Sequence, residues 1–502
     1  MNTTSTTTTS PYGVWPIEVD SGLTVFAPDR LSSLTTHVLL EQERWFESEI
    51  AIVAKLLEPG MCALDIGANH GVYSLALAQH LSGGHVWSFE PTQEPRSRLT
   101  RSMERNGLAG RMTIVPMGLS NTRREATFAI SANSELNSGN TAGAGATTQE
   151  TVLLETLDAY AAQIDRPIDF VKLDAEGEEA NVLIGGHNFF TSQSPVVMFE
   201  LRHGSQLNLP LIAQFEALGY GLFRHHPELD LLVAFHVDSA EHASVLNLFA
   251  IKPDRQATLP RLVRQQDFVA PGPLAAAAAD GALAALQGKL HAAWPAPTEA
   301  QAERHGAIGA IASAHFGAAS GGQRVAQLLA ARGQLQALIA SGRDTSPEAW
   351  VAMVHTVYAL GQQMAAVNLA MHVLAHWPAG HQPSGAFMPP LLSDLERPQS
   401  TDLGAWLKLC LLEFVETRRA YSSYFLPSDA ASLQPMLAHP DHSAQIERRA
   451  VLNELRRGKA PDAALLSRLA RGRNGALWAA LAATVPPAAA TAPAPLAEPA
   501  LA

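Results

Sequence analysis

The chain reads as α/β in its first half and all-α in its second, and three features of the sequence carry that reading. A short apolar run, Met61-Cys62-Ala63-Leu64, leads into the turn Asp65-Ile66-Gly67-Ala68-Asn69-His70-Gly71 and then into an apolar helical pattern from Val72. Apolar runs then alternate with amphipathic stretches as far as about residue 255, the rhythm of strands joined by crossover helices. Beyond that point the alternation stops and helical periods take over.

At 502 residues the chain exceeds one ordinary core, so more than one domain is expected. Charged residues make up only 16% and aromatics 6%, which alanine runs such as Ala275–Ala279 explain. The net charge of −12 and the lack of any Lys/Arg-rich block argue against nucleic acid as a partner, since phosphate neutralisation needs a basic face. Cys62 and Cys410 both stand in apolar surroundings and are expected as free core thiols. The polar N-terminus lacks a signal-peptide pattern. No apolar run is long enough to span a bilayer, so a cytoplasmic protein is expected.

Taken in order, residues 1–12 are a threonine-rich tail expected to be disordered. Val14 to Val25 predicts an accessory hairpin turning at Asp20-Ser21-Gly22. One helix is expected over about 41–57, with Trp45, Ile52 and Leu56 facing a sheet. Strands follow near 61–65, 86–90, 112–115, 151–154, 168–173, 196–201 and 246–251, with helices near 71–81, 93–106, 156–163, 178–184 and 207–218. Arg96, Arg98, Arg101 and Arg105 predict a solvated helix face. The Gly/Asn/Ser/Thr-rich stretch Ser131–Thr148 cannot pack, and reads as a substrate lid or a plain insertion. The first domain is thus placed at 13–255. A linker is expected at Val269-Ala270-Pro271-Gly272-Pro273 and a helical domain at 275–484. Within it, Ser346-Pro347-Glu348 is a helix start. Trp350 to Pro378 reads as a helical hairpin, with further helices at 403–421 and 443–456. A Pro/Ala tail at 485–502 is expected to be disordered.

The chemistry concentrates at strand ends. Gly67 and Gly71 allow close backbone approach at a helix N-terminus, but the turn departs from the dinucleotide pattern G-x-G-x-x-G. Asp65 would oppose a pyrophosphate and suits a ligand with an amino group. Asn69 is a short polar residue able to adopt the left-handed conformation. Glu90 ends the second strand, where a carboxylate accepts both hydroxyls of a ribose. Asp174, Glu176 and Glu178 crowd one turn, with Lys172 or a divalent cation as alternative ways of offsetting their repulsion, and with Glu176 and Glu178 also readable as charges that complement a helix N-terminus. Glu200, Arg202 and His203 close the set of candidates.

Together "DIGANHGVYS", "FEP", "ETLDAY" and "VKLDAEGEE" closely resemble, in wording and order, the FkbM-type family of S-adenosylmethionine-dependent methyltransferases. The resemblance covers about residues 40 to 255. It implies the Rossmann-like, seven-stranded sheet of class I methyltransferases. It also implies S-adenosyl-L-methionine as cofactor, held by Asp65, Gly67, Asn69, Gly71, Tyr73, Glu90 and Gly118. Asp174, Glu200 and His203 are then the candidate catalytic residues. His70 receives no role and no metal ligands are assigned. A hydroxyl of a sugar, glycan or secondary metabolite is the implied acceptor, and the helical region has room for a protein partner. Two other readings stay open: a non-catalytic binding protein on the same fold whose helical region recruits a partner, and a nicotinamide oxidoreductase, disfavoured by the missing glycine.

Overall fold

The computed structural model describes residues 13–130, 148–203, 206–236, 245–259, 261–267, 276–290, 294, 296–392 and 398–483. Both expected tails, residues 131–147 of the expected lid and the expected linker lie outside the described residues.

A hairpin of β1 (Val14–Glu18) and β2 (Thr24–Pro28) opens the chain. Two helices follow, α1 (Leu34–Gln42) and α2 (Glu49–Leu56), where one was expected. Glu43 adopts the left-handed conformation (φ 57°) and ends α1. The five residues Arg44–Ser48 are therefore loop, and Trp45 lies in that loop rather than on a helix. Next come β3 (Cys62–Ile66), α3 (Val72–His80), β4 (His85–Phe89), α4 (Gln93–Arg105), β5 (Met112–Val115), β6 (Gly118–Ser120), β7 (Arg124–Ile130) and β8 (Thr148–Thr156). The chain continues through α5 (Leu157–Ala161), β9 (Phe170–Leu173), α6 (Glu179–Gly185), α7 (His187–Gln193), β10 (Val196–Glu200), β11 (Arg202–His203) and β12 (Gln206–Leu207). It completes the α/β part with α8 (Leu209–Ala217), β13 (Gly221–His226), β14 (Leu231–Ala234), β15 (Asn247–Ile251), α9 (Pro253–Gln256) and β16 (Leu262–Val263).

Among the described residues the central sheet has nine strands, ordered β16-β14-β13-β15-β10-β9-β3-β4-β5, two more than the seven expected. From β5 to β10 all neighbours are parallel, and β15 and β13 return antiparallel. The outer pair, β14 and β16, extends the sheet beyond β13. The run expected near 151–154 is β8, which belongs to a separate three-stranded sheet, β6-β8-β7. Strand β13 escaped sequence reading because Arg224 and His226 look like surface residues. Both are buried.

Every described element after residue 275 is helical: α10 (Ala276–Leu290), α11 (Ala302–Phe316), α12 (Gly321–Ala340), α13 (Pro347–Ala359), α14 (Gln363–Ala375), α15 (Leu403–Arg418), α16 (Ala430–Leu437), α17 (Ala444–Arg456), α18 (Ala463–Leu469) and α19 (Gly475–Ala483), besides a short 3-10 turn. The start of α13 is as expected, with Ser346 accepting from Ala349 N and Pro347 leading the helix. Its end explains β13. Arg224 donates to the carbonyls of Leu360 and Gly361, and His226 lies 3.2 Å from that of Ala359, so side chains of the sheet serve the carbonyls that a helix end leaves unpaired.

The secondary structure thus changes near 255–275, but the apolar core does not divide there. Leu231, Val233 and Val263 share a core with Ile311, Leu328 and Val354. Leu409, Met436, Ile446 and Trp478 share another with Ile17, Leu39, Ile52 and Val86. Cys62 and Cys410 are buried free thiols. Helix α4 departs from the expected solvated face, because the hairpin covers it. Arg98 is buried, donates to Gly13 O and pairs with Glu94 at 2.6 Å, while Arg101 stacks over Phe26.

A buried polar knot joins α1 to the late helices. Arg449 reaches Glu41 at 2.7 Å and Glu416 at 2.8 Å. Ser423 donates to Glu41 from its amide (3.0 Å) and its hydroxyl, and His37 stands 3.3 Å from the same oxygen. Burial alone would raise the Glu41 carboxyl; Arg449 and the hydrogen bonds from His37 and Ser423 outweigh it and hold the group at about 2. Among the described residues no helix is long and apolar enough to cross a membrane.

Candidate functional site

The chain runs from β3 outward to β4 and β5, then returns past β3 to β9. In open α/β sheets such a reversal leaves a crevice at the carboxyl ends of the strands. Here a cleft of about 860 Å³ lies at that place, lined by the tips of β3, β4, β9 and β10.

The β3 tip makes a tight turn. Gly67 and Ala68 donate to Phe89 O (3.1 and 2.9 Å), and Gly71 donates to Ala68 O (2.8 Å). Gly67, Asn69 and Gly71 all have positive φ, at 82°, 48° and 82°. A side chain at 67 would collide with the Asp174 carbonyl, and one at 71 with Leu99, so glycine is required at both by contact as well as by conformation. Glu90 sits at the β4 tip, 6% exposed. Its Oε2 accepts from Asn69 N (2.9 Å), and its Oε1 accepts from Thr92 N (2.8 Å) and Thr92 Oγ1 (2.5 Å). A carboxylate oxygen has capacity for two donors. Glu90 is thus fixed in place with room at Oε2 for a ligand hydroxyl.

The opposite side of the cleft is acidic. Lys172 donates to Asp174 Oδ2 at 2.8 Å and lies 5.1 Å over the Tyr73 ring. Burial opposes its charge, but Asp174, Asp65 and Glu47 more than offset this and keep the ammonium above its ordinary range. Burial, then the charges of Asp174 and Glu200, push the Glu176 carboxyl up to about 10. Burial, then Asp174 and Glu47, push that of Glu200 up to about 9. Glu176 holds the left-handed conformation (φ 50°) at the turn that follows Asp174. Six carboxylates, Glu47, Glu90, Asp174, Glu176, Glu178 and Glu200, face the cleft against Lys172. Such a surface favours a cationic ligand.

Two further walls come from outside the βα core. The α1–α2 loop supplies Trp45, Phe46 and Glu47. Glu47 accepts from Trp45 Nε1 (3.0 Å), the Tyr73 hydroxyl (2.7 Å) and Asn247 Nδ2 (2.9 Å). The helical part supplies Ala420, Tyr421 and Phe425. Tyr421 and Phe425 meet Phe46 with ring centroids 5.3 and 6.1 Å apart and form an exposed aromatic rim.

Of the residues predicted from sequence, Gly67, Asn69, Gly71, Tyr73, Glu90, Gly118, Asp174 and Glu200 all line this one cleft. Asp65 does not, contrary to the expectation that it meets an ammonium group. Hydrophobic packing buries it behind the turn, where it accepts from Ser74 Oγ at 2.5 Å. Its Oδ1 has no hydrogen-bond partner among the described residues. The side chain of His203 lies outside the described residues. His70 lines the cleft as a neutral imidazole, since burial, with Arg98 and Arg30, lowers it to about 3. Glu178 is engaged elsewhere in part, accepting from Ser120 Oγ (2.6 Å) and Asn181 Nδ2 (2.9 Å). Sequence reading missed Glu47, Phe46, Tyr421 and Phe425. The aromatic cluster Tyr421-Ser422-Ser423-Tyr424-Phe425 was a signal; Glu47 had none beyond its aromatic neighbours.

Residues 65–222 match the family model of the methyltransferase FkbM domain. That stretch of the chain is similar to the FkbM methyltransferase domain. Over 280 residues it is 25% identical to the AMB antimetabolite synthetase AmbE of Pseudomonas aeruginosa, which takes in 48% of this chain. The matched part spans only 13% of that curated relative. Among solved structures it is similar to the methyltransferase FkbM of Methylobacillus flagellatus KT, at 19% identity and a TM-score of 0.30, over 41% of this chain and 48% of that one. A SAM dependent methyltransferase from Aquifex aeolicus is also similar, at 13% identity and a TM-score of 0.24, over 39% of this chain and 90% of that one. The mixed sheet with its helices is an α/β arrangement. The FkbM match holds the β3 turn, Glu90, Asp174 and Glu200, whereas Glu47, Tyr421 and Phe425 fall outside it.

Proposed function

We propose that the chain is an S-adenosylmethionine-dependent methyltransferase that acts on a hydroxyl of a sugar, glycan or secondary metabolite. The observation that carries this reading is Glu90, fixed by three donors at a strand tip in the same cleft as the turn of Gly67, Asn69 and Gly71. Glu90 accepts a ribose hydroxyl at Oε2, and the turn takes the amino-acid end of the cofactor. Gly118, against which the Leu154 side chain packs too closely for any side chain at this position, lines the end of the cleft that takes the adenine. A ligand bearing both a sulfonium and an ammonium charge suits the excess of carboxylates over Lys172.

When bound, S-adenosylmethionine supplies an electrophilic methyl group on sulfur, and the protein aligns the acceptor and handles its proton. Asp174 is placed for the second task. One of its oxygens is taken by Lys172, and the other accepts the hydrogen of the acceptor hydroxyl. Glu200 and Glu176, whose carboxyls burial and the charge of Asp174 push up, bond other polar groups of the acceptor. Phe46, Tyr421 and Phe425 cover its apolar face.

Calorimetric titration with S-adenosylmethionine, with NAD as control, tests the reading. Glu90→Ala is expected to weaken cofactor binding by about 1–3 kcal/mol, the worth of charge-assisted hydrogen bonds. Absence of binding to the wild-type chain would sink the proposal, and unaltered affinity in the variant would remove Glu90 from the site.

A further inference from the structure

A second cluster of ligating side chains lies away from the cleft, where three separate segments meet. Glu228 comes from the turn between β13 and β14, His315 from α11 and His355 from α13. One ligating atom from each lies within 4.8 Å of the other two. His355 is fully buried and the other two are half-buried.

The hydrogen bonds around the two rings orient them. His355 Nδ1 stands 2.9 Å from Pro389 O. A carbonyl only accepts, so that nitrogen carries the proton and Nε2 presents its lone pair. The two Nε2 atoms face each other at 2.8 Å. His315 is also hydrogen-bonded to the backbone carbonyl of Glu228. As a neutral ring His315 has one proton, which the Glu228 carbonyl and the His355 lone pair both require. A cation between the two Nε2 atoms satisfies both demands, because each ring then donates to its carbonyl and gives its lone pair to the metal. This is the arrangement in which outer partners fix the tautomer of ligating histidines.

We propose that Glu228, His315 and His355 bind a divalent transition-metal ion of the zinc class, which pins the sheet hairpin to the helical part. Two imidazoles and one carboxylate suit Zn²⁺, with water completing the shell. At metal–nitrogen distances of about 2.0–2.1 Å, the rings part by roughly half an ångström from their present spacing.

The test uses the full chain, stripped with a chelator and titrated with Co²⁺ and then Zn²⁺. One Co²⁺ per chain is expected, with the visible bands of a four-coordinate site, displaced by Zn²⁺. Glu228→Gln, which preserves volume, and His315→Ala are each expected to weaken binding by about 10–100-fold or more, the scale on which even outer-shell changes act. Zn²⁺ should raise the wild-type melting temperature and leave those of the variants unmoved. The exposed pair His372 and His376, with rings 4.4 Å apart, supplies the control. If His376→Ala abolishes binding while His315→Ala and Glu228→Gln preserve it, the ion sits on the surface pair and the proposal fails. It also fails if the wild type takes up no Co²⁺.

Discussion

Glu41, in the knot between α1 and α17, and Glu200, at the tip of β10, are both carboxylates largely withdrawn from water. Their environments push them apart. Glu41 meets Arg449, His37 and Ser423 and is held at about 2, whereas Glu200 meets Asp174 and Glu47 and is pushed up to about 9. Burial acts on both in the same direction, so the neighbours decide the outcome. The paired carboxylate cements two parts of the chain. The crowded ones leave a charge demand that the folded protein itself does not meet, which is what a binding site for a cation requires.

Neutralising a cleft carboxylate tests one side of this contrast. Asp174→Asn is expected to lower turnover by about 10²–10⁴-fold, the range for a proton acceptor, with cofactor affinity nearly unchanged in calorimetry. Full turnover in the variant would leave the acidic turn as a helix start only. If turnover instead depends on a divalent ion at this turn, chelation abolishes it in the wild type and Mg²⁺ restores it.

On the other side, Glu41→Ala leaves Arg449 with Glu416 as its remaining carboxylate partner and is expected to cost about 1–3 kcal/mol in denaturant unfolding. The sign with pH follows from the lowered group. It contributes stability above the ordinary carboxylate value of 4.5, and this is lost as pH falls from there towards about 2. The acid limb of the unfolding curve should therefore flatten in the variant.

The raised pair predicts the opposite slope. Glu176 and Glu200 bind protons more tightly in the folded chain, so their contribution to stability declines as pH rises from about 4.5 through about 9–10. A cationic ligand favours their ionised forms, so its affinity should rise over the same window. Affinity independent of pH would remove both groups from contact with the ligand. The smallest effect is expected at the aromatic rim: Tyr421→Ala should raise the acceptor KM several-fold while cofactor affinity stays constant.

Sequence alone located the strand tips because each ends an apolar run in a polar or acidic residue, as at Asp65, Glu90, Asp174 and Glu200. What it could not show depends on distant partners. Arg224 and His226 look like turn residues until α13 supplies carbonyls for them. Residues 41–57 look like one helix because Glu43 carries no mark of the left-handed conformation. Ile17 and Trp478 share a core that no local pattern announces.

Ser423 is buried against Glu41, while Tyr421 and Phe425 flank it on the rim of the cleft. An engineer who exchanged residues 65–222 between two such proteins would transplant Glu90 and Asp174 but leave the recipient's own Phe46, Glu47, Tyr421 and Phe425 around them. The chimera would keep one parent's grip and the other's doorway.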